Sequence, residues 1–149
     1  MLKIYVDGDA CPVKDEVFRV AERHNLKVYL VSNSWHRIAA NPLIEQIVVS
    51  QGPDVADDWI ADRIGNGDIV ITSDIPLADR CIKKAGYAIA PTGKLFTTDS
   101  IGMALAVRNL MTDLRETGEV AGNNPSFTKQ NRSHFLARLE TQIVFIKRR

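Results

Sequence analysis

The sequence predicts an α/β fold, a three-layer α/β/α arrangement with a mostly parallel central sheet. Short apolar runs rich in Val and Ile alternate along the chain with longer segments whose apolar residues recur at helical spacing. Successive strand, helix and strand segments form right-handed crossovers, which make the strands parallel and place helices on both faces of the sheet. The length of 149 residues is that of one domain, and the 45% hydrophobic share is sufficient for a buried core.

Five apolar runs predict the strands, at residues 2–6, 26–31, 44–49, 69–72 and 87–90. Helical spacing predicts five helices, at residues 12–24, 56–64, 76–85, 100–116 and 129–147. Pro12 and Pro76 stand in first helical turns, where proline is tolerated. Ser100 is a candidate N-cap, and Gly86 ends the third helix. Residues 33–43 predict a loop or a broken short helix.

The last part of the chain contains a linker followed by one more helix. Residues 118–128 predict the linker, and the helix at 129–147 follows it. A single helix cannot form its own core, so we expect it to pack on the main body or on a partner, within one domain of residues 1–149. In the helix before the linker, we expect these residues near the core: Ile101, Leu105, Val107 (or Arg108), Leu110 and Met111.

The sequence also argues against several classes of protein. No apolar run approaches the roughly 20 residues that cross a bilayer. Asp7 and Asp9 interrupt any N-terminal signal segment, so we expect a cytoplasmic protein that does not bind membranes. Cys11 and Cys81 are far apart and form no CxxC pair, which argues against a disulfide framework and a structural zinc site.

The charges are distributed unevenly, although the net charge is only +1. Residues 1–79 carry a balance of −6, whereas residues 80–149 carry a balance of +7. Uneven halves also arise by chance. The alternative is an acidic site built by the first half and a basic surface built by the second, which suits a metal-dependent site that acts on a polyanion.

Acidic residues follow three of the predicted strands. They are Asp7 and Asp9 after the first strand, Asp54 and Asp57 after the third, and Asp74 and Asp79 after the fourth. Because parallel strands end at the same edge of a sheet, these acids surround one crevice. Clustered carboxylates repel each other, and a divalent cation relieves the repulsion. An all-oxygen ligand set points to Mg²⁺ or Mn²⁺.

Each acid has a plainer interpretation. Asp54 fits a helix N-cap, Asp57 suits the positive end of a helix, and Asp79 fits a solvated helix surface. Asp7 and Asp74 are different, since each directly follows an apolar strand and is partly desolvated there. A functional role is therefore expected first for this pair.

Four segments carry a resemblance to a known family. They are VDGDACPVKDE, GPDVADDWIA, IVITSDIPLADR and NRSHFLARLE. The chain resembles, over nearly its whole length, the YaiI/YqxD family of uncharacterised bacterial proteins. That family is in turn similar to PIN-like nuclease domains, a remoter likeness that rests on the strand-end acids and on the T-x-D-x-x-L pattern at Thr72, Asp74 and Leu77.

The likeness to PIN domains implies metal-dependent hydrolysis of phosphodiester bonds, mostly in RNA, with Mg²⁺ or Mn²⁺ held by clustered acids. Carried over by position, it implies three ligands: Asp7, Asp57 (or Asp54) and Asp74. Asp79 or Asp9 would be a fourth acid, with Asp9 counted among the catalytic group, and Thr72 or Ser73 a supporting hydroxyl. The helix acid in that pattern is often Glu, whereas this chain offers the shorter Asp.

Basic and aromatic residues are candidates for contact with nucleic acid, although each also fits an ordinary surface or packing role. The candidate cations are Arg80, Lys83, Lys94 and Arg132, with Arg138 on the same helix as the last. Trp35 on the 33–43 loop fits either stacking on a base or covering the core. Cys11 fits either a helix N-terminal thiolate or packing, and no C-x₅-R phosphate loop follows it.

Two other functions remain open. Asp7-Gly8-Asp9 after a strand resembles the D-x-D of haloacid-dehalogenase phosphatases, in which the first Asp is a nucleophile and the second an acid/base, with Asp74 and Asp79 as the later acidic pair. Against this, Cys11 stands where Thr is usual, and Lys83 follows the later acids instead of preceding them. The second alternative is a non-catalytic RNA-binding domain with a degenerate metal site.

Overall fold

The structure is a computed structural model that describes residues 2–52, 54–116 and 127–148. Strands and helices alternate along most of the chain, as predicted. Their order is β1 (Ile4–Asp7), α1 (Lys14–His24), β2 (Val28–Ser32), β3 (Ile44–Val48), α2 (Val55–Arg63), β4 (Ile69–Ile71), α3 (Ile75–Ile82), β5 (Tyr87–Ile89), β6 (Leu95–Phe96), α4 (Thr98–Glu116) and α5 (Lys129–Lys147).

The strands form one six-stranded sheet in the order β3-β2-β1-β4-β5-β6. Strands β1 to β5 are parallel, and Ile4 of β1 is in register with Val28 of β2 and Ile69 of β4. Strand β6, which was not predicted, pairs antiparallel with β5. The carboxyl ends of the five parallel strands therefore share one edge, called here the carboxyl edge.

Alternate residues of each strand pack into two separate cores, one on each face of the sheet. Ile4 and Val6 lie in the core covered by α1 and α5, whereas Tyr5 lies in the core covered by α2, α3 and the start of α4. In α5, Phe135 and Leu139 are fully buried. The predicted α/β fold with three layers and a mostly parallel sheet is confirmed, and α5 packs on the main body.

Helix α4 differs from the prediction in the face that it buries. Ile101 is buried at its start, but Val107 and Leu110 are 50% and 57% exposed. Their helical spacing fits a core face, yet among the described residues only the beginning of α4 reaches the core. The side chains of Arg108 and Met111 lie outside the described residues, as does most of the predicted linker at 118–128.

Within the described ranges, no helix has both the length and the apolar character required to cross a bilayer.

Replacing Phe135 by Ala tests whether α5 is part of the core. The side chain is fully buried between α5 and the sheet, so its removal leaves a cavity. We expect the free energy of unfolding, measured by urea denaturation, to fall by about 3–5 kcal/mol. Phe145, which is 53% exposed on the same helix, is the matched control, and Phe145→Ala should cost less than about 1 kcal/mol. Equal losses in both variants would contradict the packing of α5.

Candidate functional site

A buried threonine hydroxyl joins the ends of the two central strands. Thr72 directly follows β4 and is only 2% exposed. Its Oγ1 donates a hydrogen bond to Oδ2 of Asp7, at the end of β1, over 2.9 Å. The same oxygen accepts a hydrogen bond from the backbone N–H of Asp74, also over 2.9 Å. Of the two predicted supporting hydroxyls, Thr72 therefore contacts the acids, whereas Ser73 is exposed.

Asp74 has a structural role as well as a place in the cluster. It is the N-cap of α3, and its Oδ1 accepts the backbone N–H of Leu77 over 3.0 Å. Pro76 stands in the first turn of that helix. The cap fixes one oxygen of Asp74 and leaves the carboxylate charge beside the end of β1, where it raises the pKa of Asp7.

Asp57, in the first turn of α2, brings a third carboxyl group to the same place. Burial raises the pKa of Asp57 to about 7, with further contributions from the charges of Asp74, Asp7 and Asp54 and from a hydrogen bond with Asp74. Burial also raises the pKa of Asp7, together with the charges of Asp74 and Asp9, against the opposing hydrogen bond from Thr72. Acids from β1, α2 and the β4–α3 junction thus converge at the carboxyl edge.

Asp54 and Asp9 flank these three acids. Asp54 occupies the N-cap position of α2 in a left-handed backbone conformation (φ 66°), and its side chain makes no capping hydrogen bond. The N-cap interpretation therefore does not account for it. Both carboxylate oxygens of Asp9 accept the backbone N–H of Asn33 over 3.0 Å, which holds the loop after β2 against the turn after β1. Nothing in the sequence indicated this contact with Asn33.

Asp79 and three of the four predicted cations are engaged in ion pairs. Asp79 pairs with Lys83 over 2.8 Å and is not among the charges that raise the pKa of Asp7 or Asp57. The other two pairs are Arg80 with Asp58 and Arg132 with Glu16. Lys94 instead lies over the ring of Phe96, with 5.7 Å from Nζ to the ring centroid.

The structure decides two alternatives that the sequence left open. Cys11 is buried, and burial raises the pKa of its thiol to about 11, so it packs as a protonated thiol instead of acting as a thiolate. Trp35 is 72% exposed and therefore does not cover the core.

The donor set fits a hydrated divalent cation better than a fully enclosed one. In the part of the chain that the structure describes, no group of three or more His, Cys, Asp and Glu side chains is arranged to hold a metal ion. Mg²⁺ commonly keeps several waters and uses only one or two protein carboxylates. Asp7 and Asp74, with Asp57 beside them, are the carboxylates that would hold a hydrated cation of this kind.

The raised pKa of Asp57 predicts how stability depends on pH. In the unfolded chain this carboxyl ionises at its ordinary pKa of 3.8, and in the folded protein at about 7. The folded state therefore holds an extra proton between about pH 4 and pH 7, and stability falls as pH rises through this window. In metal-free buffer at pH 8 we expect Asp57→Asn to raise the Tm by about 3 °C, the shift that about 1 kcal/mol gives a domain of this size. The gain should shrink as pH falls and disappear below about pH 4, where Asp57 is protonated in the folded and the unfolded chain alike.

Differential scanning calorimetry from pH 5 to pH 8 measures this effect. Asp62, an exposed acid on the same helix, is the matched control, and Asp62→Asn should leave the pH dependence of the Tm unchanged. A gain in Asp57→Asn that is the same at pH 5 and at pH 8 would show that Asp57 is not held among like charges.

Comparison with known proteins shows relatives over the full chain. The UPF0178 protein of Rhodopseudomonas palustris (strain TIE-1) is 59% identical over 149 residues, which are 100% of this chain and 94% of that protein. The UPF0178 protein of Parvibaculum lavamentivorans is 58% identical over 149 residues, 100% of this chain and 98% of that protein. The UPF0178 protein of Caulobacter sp. (strain K31) is 55% identical and covers 99% and 98% of the two chains. No solved structure matches the chain.

The sequence profile described as "Uncharacterized BCR, YaiI/YqxD family" matches residues 5–144. The match includes all the acids of the carboxyl edge and every strand of the sheet, apart from Ile4 at the start of β1. On this profile and these relatives, the chain belongs to the YaiI/YqxD family, as its sequence motifs predicted.

Proposed function

We propose that this protein is a metal-dependent nuclease with a PIN-like domain, which hydrolyses phosphodiester bonds in RNA with Mg²⁺ or Mn²⁺. The convergence of Asp7, Asp57 and Asp74 supports the proposal most directly. These acids come from three separate elements, yet burial together with the charge of Asp74 raises the pKa of both Asp7 and Asp57. Repulsion of this kind lowers stability, and groups with shifted pKa values are concentrated at functional sites, which favours a functional role for the cluster.

The charge of the cluster favours binding of a cation. Near neutral pH a proton on Asp57 partly offsets the two neighbouring carboxylates, because its pKa is about 7. A divalent cation held by Asp7 and Asp74 would replace that proton as the compensating charge. Such a cation supplies a Lewis acid and lowers the pKa of bound water. Thr72 holds Asp7 in place through its hydroxyl, and Asp57 is then free to accept a proton.

The structure gives less support to a phosphatase of the haloacid-dehalogenase type. The second acid of the D-x-D, Asp9, is bound through both oxygens to the backbone of Asn33. Burial contributes most to the raised pKa of Asp7, and among the neighbouring charges Asp74, from the β4–α3 junction, contributes more than Asp9. This arrangement suits direct hydrolysis better than an aspartyl-phosphate intermediate.

Asp74→Asn tests the nuclease directly. Asparagine is as good an N-cap as aspartate, so the variant keeps the cap of α3 and loses only the charge. We expect Mn²⁺-dependent cleavage of a labelled single-stranded RNA by the purified protein, and a loss of about 100-fold or more in Asp74→Asn. Asp62→Asn, which removes an exposed acid of α2, should cleave at the rate of the unchanged protein.

Three results would contradict the nuclease. Equal cleavage by Asp74→Asn would indicate a contaminant or another site. A covalent aspartyl-phosphate trapped on Asp7 with a fluoride analogue would favour the phosphatase. RNA binding that survives Asp7→Asn and chelation, without any cleavage, would favour a binding domain.

Binding of the metal has a readout that does not depend on activity. A ligand at ten times its Kd stabilises the folded state by about 1.4 kcal/mol, or about 4 °C in the Tm of a domain of this size. At pH 8 we expect Mn²⁺ or Mg²⁺ to raise the Tm of the unchanged protein and of Asp62→Asn, but not that of Asp7→Asn/Asp74→Asn. An equal rise in the double variant would place the cation elsewhere.

A further inference from the structure

A basic groove lies between the β5–β6 turn and α5. It has a volume of about 470 Å³, and its lining residues are Thr92, Gly93, Lys94, Leu95, Thr97, His134 and Arg138. Two cations, one histidine and two hydroxyl groups therefore face one space, and no carboxylate is among the described residues that line it. A second cavity along α5 shares His134 and Arg138 with this basic groove, so the groove continues along the helix.

The cations of the basic groove differ from the other predicted cations because no acid neutralises them. Within residues 2–52, 54–116 and 127–148, neither Lys94 nor Arg138 has a carboxylate partner, whereas Lys83 is ion-paired. Arg138 uses Nε to donate to the carbonyl oxygen of Gly93 over 3.3 Å, which leaves its terminal nitrogens for another acceptor. A phosphate group can therefore bind Lys94 and Arg138 without an existing ion pair being broken.

The basic groove has a fixed shape because the turn lies directly on α5. Gly93 has φ +95°, and a Cβ there would lie 2.2 Å from Cδ2 of His134 and 2.9 Å from its backbone carbonyl carbon. Hydrogen bonds between the backbones of Ala90 and both Gly93 and Lys94, each of 2.8 Å, close the turn. Lys94 is therefore presented from a closed hairpin turn, which limits the entropy lost on binding.

The turn that forms one side of the basic groove follows β5 at the same edge of the sheet as the acids. Strand β5 neighbours β4, and the backbone N–H of Thr72 donates to the carbonyl oxygen of Ile89 at the end of β5. Neighbouring strands are about 5 Å apart. The turn that carries Lys94 therefore begins at the carboxyl edge, one strand away from the Thr72 hydroxyl that is bonded to Asp7.

An exposed tryptophan lies at the same edge on the other side of the acids. Trp35 is on the loop after β2, which neighbours β1 on the side away from β4. The loop is held in place by Asp9 on the N–H of Asn33 and by two hydrogen bonds between Gln46 and the backbone of His36, of 3.0 and 2.7 Å. An exposed indole on a fixed loop is a stacking platform for a base.

We propose that a single-stranded nucleic acid crosses the carboxyl edge, with one base stacked on Trp35, the acids at the centre, and backbone phosphates bound by Lys94 and Arg138 in the basic groove. This path rests on the proposed function for the reaction at its centre. It adds the residues that hold the strand on either side of that reaction.

Fluorescence anisotropy of a labelled 12-nucleotide single-stranded RNA in EDTA measures binding without cleavage. We expect Trp35→Ala to raise the Kd about fivefold or more, since stacking of one base is worth about 1–3 kcal/mol. Lys94→Ala and Arg138→Gln should each raise the Kd by a similar factor, because each variant loses a cation that binds phosphate. Removing either cation should also reduce the slope of log Kd against log salt by about 1. Trp35→Phe should bind more tightly than Trp35→Ala.

Lys27, which is paired with Glu45 next to the start of β2, is the matched control at the opposite edge of the sheet. Lys27→Ala should bind within twofold of the unchanged protein. The path is overturned if the three variants bind RNA as tightly as Lys27→Ala does. It is also overturned if the unchanged protein does not bind RNA. Full displacement of the RNA by millimolar inorganic phosphate would show that the basic groove serves a free phosphate compound, which also overturns the path.

Failure of the path and failure of the nuclease give different results. RNA that is bound through Lys94 and Trp35 but never cut overturns the nuclease and supports the path. RNA that is cut with an unchanged KM by Lys94→Ala and Trp35→Ala supports the nuclease and overturns the path.

Discussion

The organisation of the carboxyl edge depends on the hydroxyl group of Thr72. It donates to the carboxylate of Asp7 and accepts the N–H of Asp74, so it fixes the ends of β1 and β4 relative to each other. The hydrogen bond favours the ionised form of Asp7 against the effect of its burial. A threonine that reaches both partners from a buried position thus opposes part of the rise in the pKa of Asp7 that burial causes.

Structural roles account for some of the acids and leave others unexplained. Asp74 caps α3 and Asp9 holds the loop after β2, so both would be retained in a protein without any activity. Asp7 and Asp57 are different, because in the described part of the chain no backbone N–H is bound to either carboxylate. Within the residues that the structure describes, Asp7 has only the hydrogen bond from Thr72 to offset the cost of its burial, and Asp57 lies among like charges. These two acids therefore carry most of the functional argument.

The sequence predicted what depends on local pattern and missed what depends on contacts between distant residues. The alternation of strands and helices placed Asp7 and Asp74 at one edge, because parallel strands end together. Strand β6 was missed because two residues in a hairpin, Leu95–Phe96, give no period. The ion pair between Arg80 and Asp58 joins two helices and has no signal in either segment. Helical spacing also could not show that Val107 of α4 is exposed to solvent.

The uneven charges of the two halves of the chain correspond to two different sites at the carboxyl edge. The first half supplies β1, α2 and β4, and with them the acids, whereas the second half supplies the β5–β6 turn and α5. Where the two halves meet elsewhere, opposite charges pair, as Arg132 does with Glu16 and Arg23 with Glu140. Among the described residues, pairing of this kind leaves the acidic cluster and the basic groove without ion pairs at the same edge of the sheet. A divalent cation would neutralise the acidic cluster, and a phosphate group would neutralise the basic groove. A phosphodiester bound together with a metal ion supplies both of these charges.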